Sequence, residues 1–229
     1  MSLFETIIDY SEDVFRNIPS VRPSQDLFDD LSDDADNWAA ANNLEAVTRM
    51  PLENNQLIQR GFEYSENPFI DYPFENLTIS RFSNGQNPCL YASETLETTI
   101  HETVYHFSKN IADSLEAFSG EKQILADRRV AKIACIGIAI DLSAKTEEYP
   151  WLLDPINYDR CQEVGRRIAK EGHPLLRVRS ARQLEGINIV AFKSNILSNV
   201  REHCFLRYCL NLETMKVIVT RGEEIIIKI

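Results

Sequence analysis

The sequence predicts an α+β domain built on a mixed β-sheet, preceded by an N-terminal helical extension over residues 1–50. Two observations support this fold class. Apolar side chains in the first 50 residues recur at helical spacing, whereas from about residue 56 short β-type runs alternate with a few helical segments. Short strands with interposed helices are typical of a sheet domain of the α+β or α/β class.

The N-terminal extension is predicted to be helical and acidic. Between residues 3 and 18 the apolar side chains recur every few positions, at Leu3, Ile7, Val14 and Ile18. Pro19 ends this helix, and two further helices begin near Ser24 and Asp36. Residues 1–50 hold eleven acidic and three basic side chains, so they carry −8 of the net charge of −11.

The remaining residues, 51–229, are predicted to form the domain itself. Helices are expected over about 93–107 and over 157–171, where Gly172 is a suitable stop. The β-type runs are 56–64, 76–83, 89–93, 130–143, 175–182 and 186–192, followed by a hairpin around Arg221 and Gly222.

Charge and composition exclude several classes of partner. A net charge of −11 disfavours binding to nucleic acid or to an anionic membrane. The longest apolar run, around Ile133 to Ile140, is too short to span a bilayer. The first residues are acidic, which is unlike a secretory signal, and the five cysteines are irregularly spaced. We therefore expect a cytoplasmic protein with reduced thiols.

Residues 160–182 stand out because they contain seven basic and two acidic side chains. Such a stretch is suited to a small anionic ligand. Charge runs more often solvate an exposed helix face, so both interpretations stay open.

The string HETVYH, which starts at His101, resembles a zinc-binding helix but does not match one. Two histidines share a metal on a helix when they are four residues apart. His101 and His106 are five apart, roughly 140° around the helix, so we predict no metal site. Cys204 and Cys209 do not fit a zinc spacing either.

The stretch from Ile79 to Phe107 is the most informative part of the sequence. Arg81 follows a β-type run, Tyr91 lies on the next short strand, and Glu102 lies on the helix after it. Glu102 falls roughly 150° from the centre of the apolar stripe of that helix, so it does not face the same core. Taken singly, each residue fits a surface or strand position without a function.

Together these motifs resemble the RES-domain family. That family joins an Arg-aromatic pair and a glycine turn to a Leu-Tyr-x-Ser strand, with a glutamate eleven residues after the tyrosine. Arg81-Phe82, Leu90-Tyr91 and Glu102 match this pattern, Arg60 matches an earlier strand arginine, and Ser180 matches a Ser-Ala-Arg motif before a Gly-x-Asn strand. The resemblance covers roughly residues 55–195. It departs from the family at Ile79-Ser80, Thr99 and Arg179.

The resemblance implies an ADP-ribosyltransferase-like domain that cleaves the nicotinamide–ribose bond of NAD. Arg60 and Arg81 would grip the pyrophosphate, because guanidinium groups bind such oxyanions well. Glu102 would stabilise the positive charge that develops on the ribose, as in glycoside cleavage. Tyr91 would hold the nicotinamide or ribose ring, and Ser180 would hydrogen-bond the ribose or a phosphate.

The resemblance also implies a toxin with an antitoxin partner and a homodimeric assembly. The acceptor is left open: water gives a glycohydrolase, phosphate a phosphorylase, and a protein side chain an ADP-ribosyltransferase. The alternative from another class is a module that binds NAD or a related nucleotide without cleaving it.

Overall fold

The computed structural model describes residues 3–20, 69–118 and 120–229. The helices are α1 (Tyr72–Glu75), α2 (Leu96–Ala112) and α3 (Asp159–Glu171), with 3₁₀ turns at Leu115–Phe118, Ser143–Lys145, Pro150–Leu153 and Ser194–Ile196. The strands are β1 (Ile7–Pro19), β2 (Ile79–Ser80), β3 (Ser83–Asn84), β4 (Leu90–Ser93), β5 (Gln123–Asp141), β6 (Leu175–Arg179), β7 (Ile187–Ala191), β8 (Leu197–Asn211), β9 (Val217–Arg221) and β10 (Glu224–Lys228).

The main sheet of the described residues has eight strands in the order β1-β4-β7-β6-β5-β8-β9-β10. β5 and β6 are parallel, and the other neighbours are antiparallel. Because β1 also pairs with β5, the strands β1, β4, β7, β6 and β5 form a closed ring. The predicted mixed sheet of an α+β domain is therefore confirmed.

β5 connects the two parts of the sheet, which are the ring and the three strands β8, β9 and β10. One edge pairs with β1, and the other pairs with β8 and then, at Ala139–Asp141, with β6. Inside the ring its buried side chains Ala131, Ile133 and Cys135 pack against Tyr10 and Val14 of β1. Nineteen consecutive residues in one strand thus hold both parts in a single hydrogen-bonded frame.

The two longer helices cover different parts of the sheet. α2 begins at its cap Thr95, whose side chain accepts a hydrogen bond from the Thr98 backbone N–H. Its buried face packs against Leu206 and Tyr208 of β8. α3 buries its apolar face against β6 and β7, and it ends at Gly172, which has a left-handed φ of 81°. The two predicted helices and the C-terminal hairpin are therefore confirmed.

The helix predicted over residues 3–18 is wrong, because these residues contain β1. This strand pairs with β5 along its whole length, from Ile7 opposite Ile140 to Pro19 opposite Arg128. Tyr10 and Val14 are buried four residues apart, a spacing that fits one helix face as well as one face of a strand. The long pairing with β5 decides between the two, since strand formation depends on its neighbours.

Several predictions lie outside the described residues. These are the helices expected near Ser24 and over 36–49, the β-type run 56–64, and Arg60. In the ranges that the structure does describe, no helix is both long enough and apolar enough to cross a bilayer. None of the five cysteines, all of which lie in described ranges, is paired in a disulfide.

Ile7 and Val14 distinguish the strand from the predicted helix. They are seven residues apart, so a helix places them on one face and a strand on opposite faces. In the structure Val14 is 0% exposed and Ile7 is 56% exposed. We expect Val14→Ala to lower the free energy of unfolding by about 1–3 kcal/mol and Ile7→Ala to lower it by less than about 1 kcal/mol. Urea unfolding measures both, and equal large losses would contradict the strand.

Candidate active site

Glu102 lies on the side of α2 that faces β7 and the loop after β6. Its Oε1 accepts a hydrogen bond from the Ser180 hydroxyl at 2.6 Å and another from the Asn188 side-chain amide at 2.6 Å. Within the described residues, Oε2 has no hydrogen-bond partner. One oxygen of this carboxylate is thus fixed, and the other is available to a ligand.

Ser180 has no hydrogen-bonding capacity left for a substrate. Its hydroxyl donates to Glu102 and accepts from the backbone N–H groups of Arg182 at 3.0 Å and Gln183 at 3.1 Å. A hydroxyl offers one donor and two acceptor sites, and all three are occupied. Its own backbone N–H donates to the Gly186 carbonyl at 2.7 Å, which closes the loop. Ser180 therefore orients Glu102.

Asn188 is the second group that orients Glu102, and sequence reasoning did not include it in the site. Its side-chain oxygen accepts a hydrogen bond from the Ser93 hydroxyl at 2.8 Å, which leaves the amide nitrogen directed at Glu102. Ser93 and Asn188 are opposite each other on β4 and β7. A polar residue in the otherwise apolar run GINIVAF was the signal that marked this position.

Glu102 lines a cleft of about 230 Å³ between α2 and the strands β1, β4 and β5. Two arginines, Arg16 and Arg128, line the same cleft. Arg16 donates a hydrogen bond to the Tyr91 carbonyl at 2.8 Å. Burial lowers the pKa of Arg16 to about 10 and also lowers the pKa of Arg128. Arg16 remains protonated at neutral pH, as arginine side chains generally do in proteins. The cleft therefore holds two cations, Arg16 and Arg128, beside one carboxylate.

Three residues of this cleft carry buried polar atoms that have no hydrogen-bond partner among the residues that the structure describes. These atoms are Nε of Arg16, Oδ1 of Asn17 and the hydroxyl of Tyr91. Burial raises the pKa of Tyr91 well above its ordinary value, so its hydroxyl is neutral and can both donate and accept. Buried polar atoms are nearly always paired, and several unpaired ones at one cleft indicate a site for a polar ligand.

His106 lies one helical turn after Glu102 and lines the same cleft. Burial lowers the pKa of His106, and the charge of Glu102 only partly opposes this. His101 does not line this cleft, and its Nε2 lies 4.0 Å from the carboxylate of Glu97. Among the described residues, no group of three or more His, Cys, Asp or Glu side chains is arranged to hold a metal ion.

Arg81 does not line the cleft. Its guanidinium donates hydrogen bonds to the carbonyls of Leu152 at 3.2 Å and Asp154 at 2.7 Å, and it lies 4.5 Å from the centre of the Tyr158 ring. These contacts anchor the loop that precedes α3. The structure therefore places Tyr91 and Glu102 in one cleft and bonds Ser180 to Glu102, although neither Ser180 nor Arg81 lines the cleft, and it does not describe Arg60.

The basic residues of 160–182 are mostly paired with acidic neighbours. On the exposed face of α3, Arg166 contacts Glu163 at 2.5 Å and Arg167 contacts Glu171 at 2.6 Å. None of the basic side chains in this stretch lines the Glu102 cleft. The solvated-face interpretation thus holds for α3. The cationic side of the cleft comes from β1 and β5, which the sequence did not indicate because β1 was predicted as a helix.

Comparisons with known proteins found a family and a solved structure that are similar to this chain. The sequence-family model of the RES domain matches residues 57–210, a range that includes all five site residues predicted from the sequence. Among solved structures, a chain from the M. tuberculosis MbcT–MbcA toxin–antitoxin complex is 13% identical, with a TM-score of 0.49 over 87% of this chain and 85% of that chain. A comparison with curated proteins finds no match.

The family match spans more than half of the chain, and its glutamate and serine motifs meet at 2.6 Å in the structure. On this basis the chain belongs to the RES-domain family.

Proposed function

We propose that this protein cleaves the bond between nicotinamide and ribose in NAD. The observation that carries the proposal is the carboxylate of Glu102, which lines the cleft and is held by two hydrogen bonds on one oxygen, while the other oxygen has no hydrogen-bond partner among the described residues. A fixed negative charge of this kind stabilises a cation that forms only during a reaction.

The chemistry of NAD matches this arrangement. When the bond breaks, its electron pair moves to the pyridinium nitrogen, nicotinamide leaves as a neutral molecule, and positive charge develops on the ribose. The free oxygen of Glu102 would face that charge. Because the carboxylate is already oriented, little reorganisation is needed as the charge appears.

The arginines of the cleft support an anionic substrate. Arg16 and Arg128 would hold the diphosphate of NAD, which is the role that the family resemblance assigned to Arg60 and Arg81. Their charges stand out in a protein with a net charge of −11, and they attract anions to this one place. A volume of about 230 Å³ is below the roughly 300–1,000 Å³ of complete small-molecule sites, so this cleft suits the part of NAD from nicotinamide to the diphosphate and not the whole molecule.

Membership of the RES-domain family supports three further parts of the proposal. The protein acts as a toxin by depleting NAD in the cytoplasm, a protein antitoxin restrains it, and it works as a homodimer. Expression in a bacterial host should then arrest growth and lower cellular NAD. A module that only binds NAD would do neither.

Glu102→Gln tests the role of the carboxylate. The amide keeps an oxygen for Ser180 and Asn188 but removes the negative charge. We expect kcat to fall roughly 10²–10³-fold, the usual cost of losing one electrostatic stabiliser, while the Kd for NAD changes only a few-fold. Release of nicotinamide and binding of NAD are measured on purified protein.

The matched control for this test is Glu97→Gln, on the same helix but outside the cleft and 65% exposed. It should behave as wild type. If wild-type protein leaves NAD intact with water or phosphate as acceptor, the catalytic proposal fails and a binding module takes its place. If Glu102→Gln is as active as wild type, the enzyme stands without this carboxylate.

Ser180→Ala separates orientation of Glu102 from contact with substrate. Because the hydroxyl is fully used within the protein, its loss should lower kcat and leave KM nearly unchanged. A hydrogen bond to a charged group contributes about 1.5–3 kcal/mol, which corresponds to roughly a 10- to 100-fold loss. Steady-state kinetics measure this, with the exposed Ser114→Ala as control. A higher KM at unchanged kcat would show that Ser180 binds the substrate instead.

A further inference from the structure

His106 is placed to take part in chemistry at the Glu102 cleft. It follows Glu102 by four residues on α2, so both side chains lie on the same side of the helix and line the same cleft. The ring packs edge-on against Tyr105, with ring centroids 5.2 Å apart. In the described part of the chain neither ring nitrogen has a hydrogen-bond partner, so no protein contact there occupies the imidazole.

We propose that His106 is the general base that accepts a proton from the water that attacks the ribose, so that water is an acceptor in this site. This inference rests on the proposed function. As nicotinamide departs with the electron pair of the broken bond, the water oxygen bonds to the anomeric carbon. The water proton moves to the imidazole, which later releases it to solvent. The balanced outcome converts NAD and water to ADP-ribose, nicotinamide and one proton.

Desolvation has the largest effect on the pKa of His106 and favours its neutral form, which is the form that acts as a base. One carboxylate, Glu102, faces it. The cations that act on it are Lys109 of its own helix and Arg81 and Arg182 of the loops beside it, while Arg16 and Arg128 line the same cleft. Together with burial, the first three keep the pKa of His106 below its ordinary value. Glu102 then stabilises the imidazolium once the proton has been transferred.

The other titratable groups of the cleft are unsuited to this step. Burial keeps the Tyr91 hydroxyl protonated well above neutral pH, and Arg16 and Arg128 are cations. Glu102 is the group that stabilises the ribose cation in the proposed function. Within the described cleft, His106 is therefore the side chain whose proton affinity suits general base catalysis near neutral pH.

A comparison of two acceptors tests the assignment. Purified wild type, His106→Gln and the control His101→Gln are incubated with NAD in water and in water with sodium azide. Azide is already an anion and needs no base. We expect His106→Gln to lose roughly 100-fold or more in hydrolysis, while formation of the azide adduct stays within about two-fold of wild type. His101→Gln, whose histidine contacts Glu97, should retain both reactions.

The pH dependence gives an independent readout. Wild-type hydrolysis should fall as pH drops through the pKa of His106, below the ordinary value of about 6.5, and this acid limb should disappear in His106→Gln. Unchanged hydrolysis in the variant, or an equal loss with both acceptors, would overturn the inference while NAD cleavage by wild type still upholds the proposed function. Wild-type turnover that requires an anionic acceptor would also overturn the inference, and it would also uphold the proposed function. Wild type that leaves NAD intact with every acceptor overturns both.

Discussion

Two hydrogen bonds to a single carboxylate oxygen connect three parts of the chain. Glu102 on α2 is held by Ser180, 78 residues away, and by Asn188, 86 residues away. Ser93 on β4 then fixes the amide of Asn188. A partly buried carboxylate without such partners would be costly, so these contacts help to explain why the loop after β6 closes on itself beside α2. The orientation of the carboxylate follows from the packing of helix against sheet.

The positive charge in the cleft depends on the pairing of β1 with β5. β1 and β5 pair along their full shared length, and this pairing brings Arg16 and Arg128 to the cleft that Glu102 lines. Burial lowers the pKa of both arginines. Charge–charge interactions are stronger at such partly buried positions than in bulk water. The sheet thus places two cations, and α2 places one carboxylate and one imidazole, around a small volume.

Local patterns predicted part of this arrangement. The 3.6-residue apolar period and the glycine stop located α2 and α3, and the alternation of β-type runs indicated the mixed sheet. β1 escaped prediction because Tyr10 and Val14 fit both periods and only the partner strand β5 decides between them. Arg16 was missed for the same reason. The family resemblance brought Tyr91, Glu102 and Ser180 together, yet it assigned Ser180 to the substrate, since hydrogen-bond saturation is visible only in three dimensions.

We infer that the free oxygen of Glu102 faces the ribose of NAD. A crystal structure of the Glu102→Gln variant with NAD, in which turnover is slow, tests it most directly. We expect the nicotinamide–ribose end beside Tyr91, with the anomeric carbon beside the side chain at position 102 and the diphosphate at Arg16 and Arg128. NAD bound outside this cleft, or with its adenine end at position 102, would contradict the account.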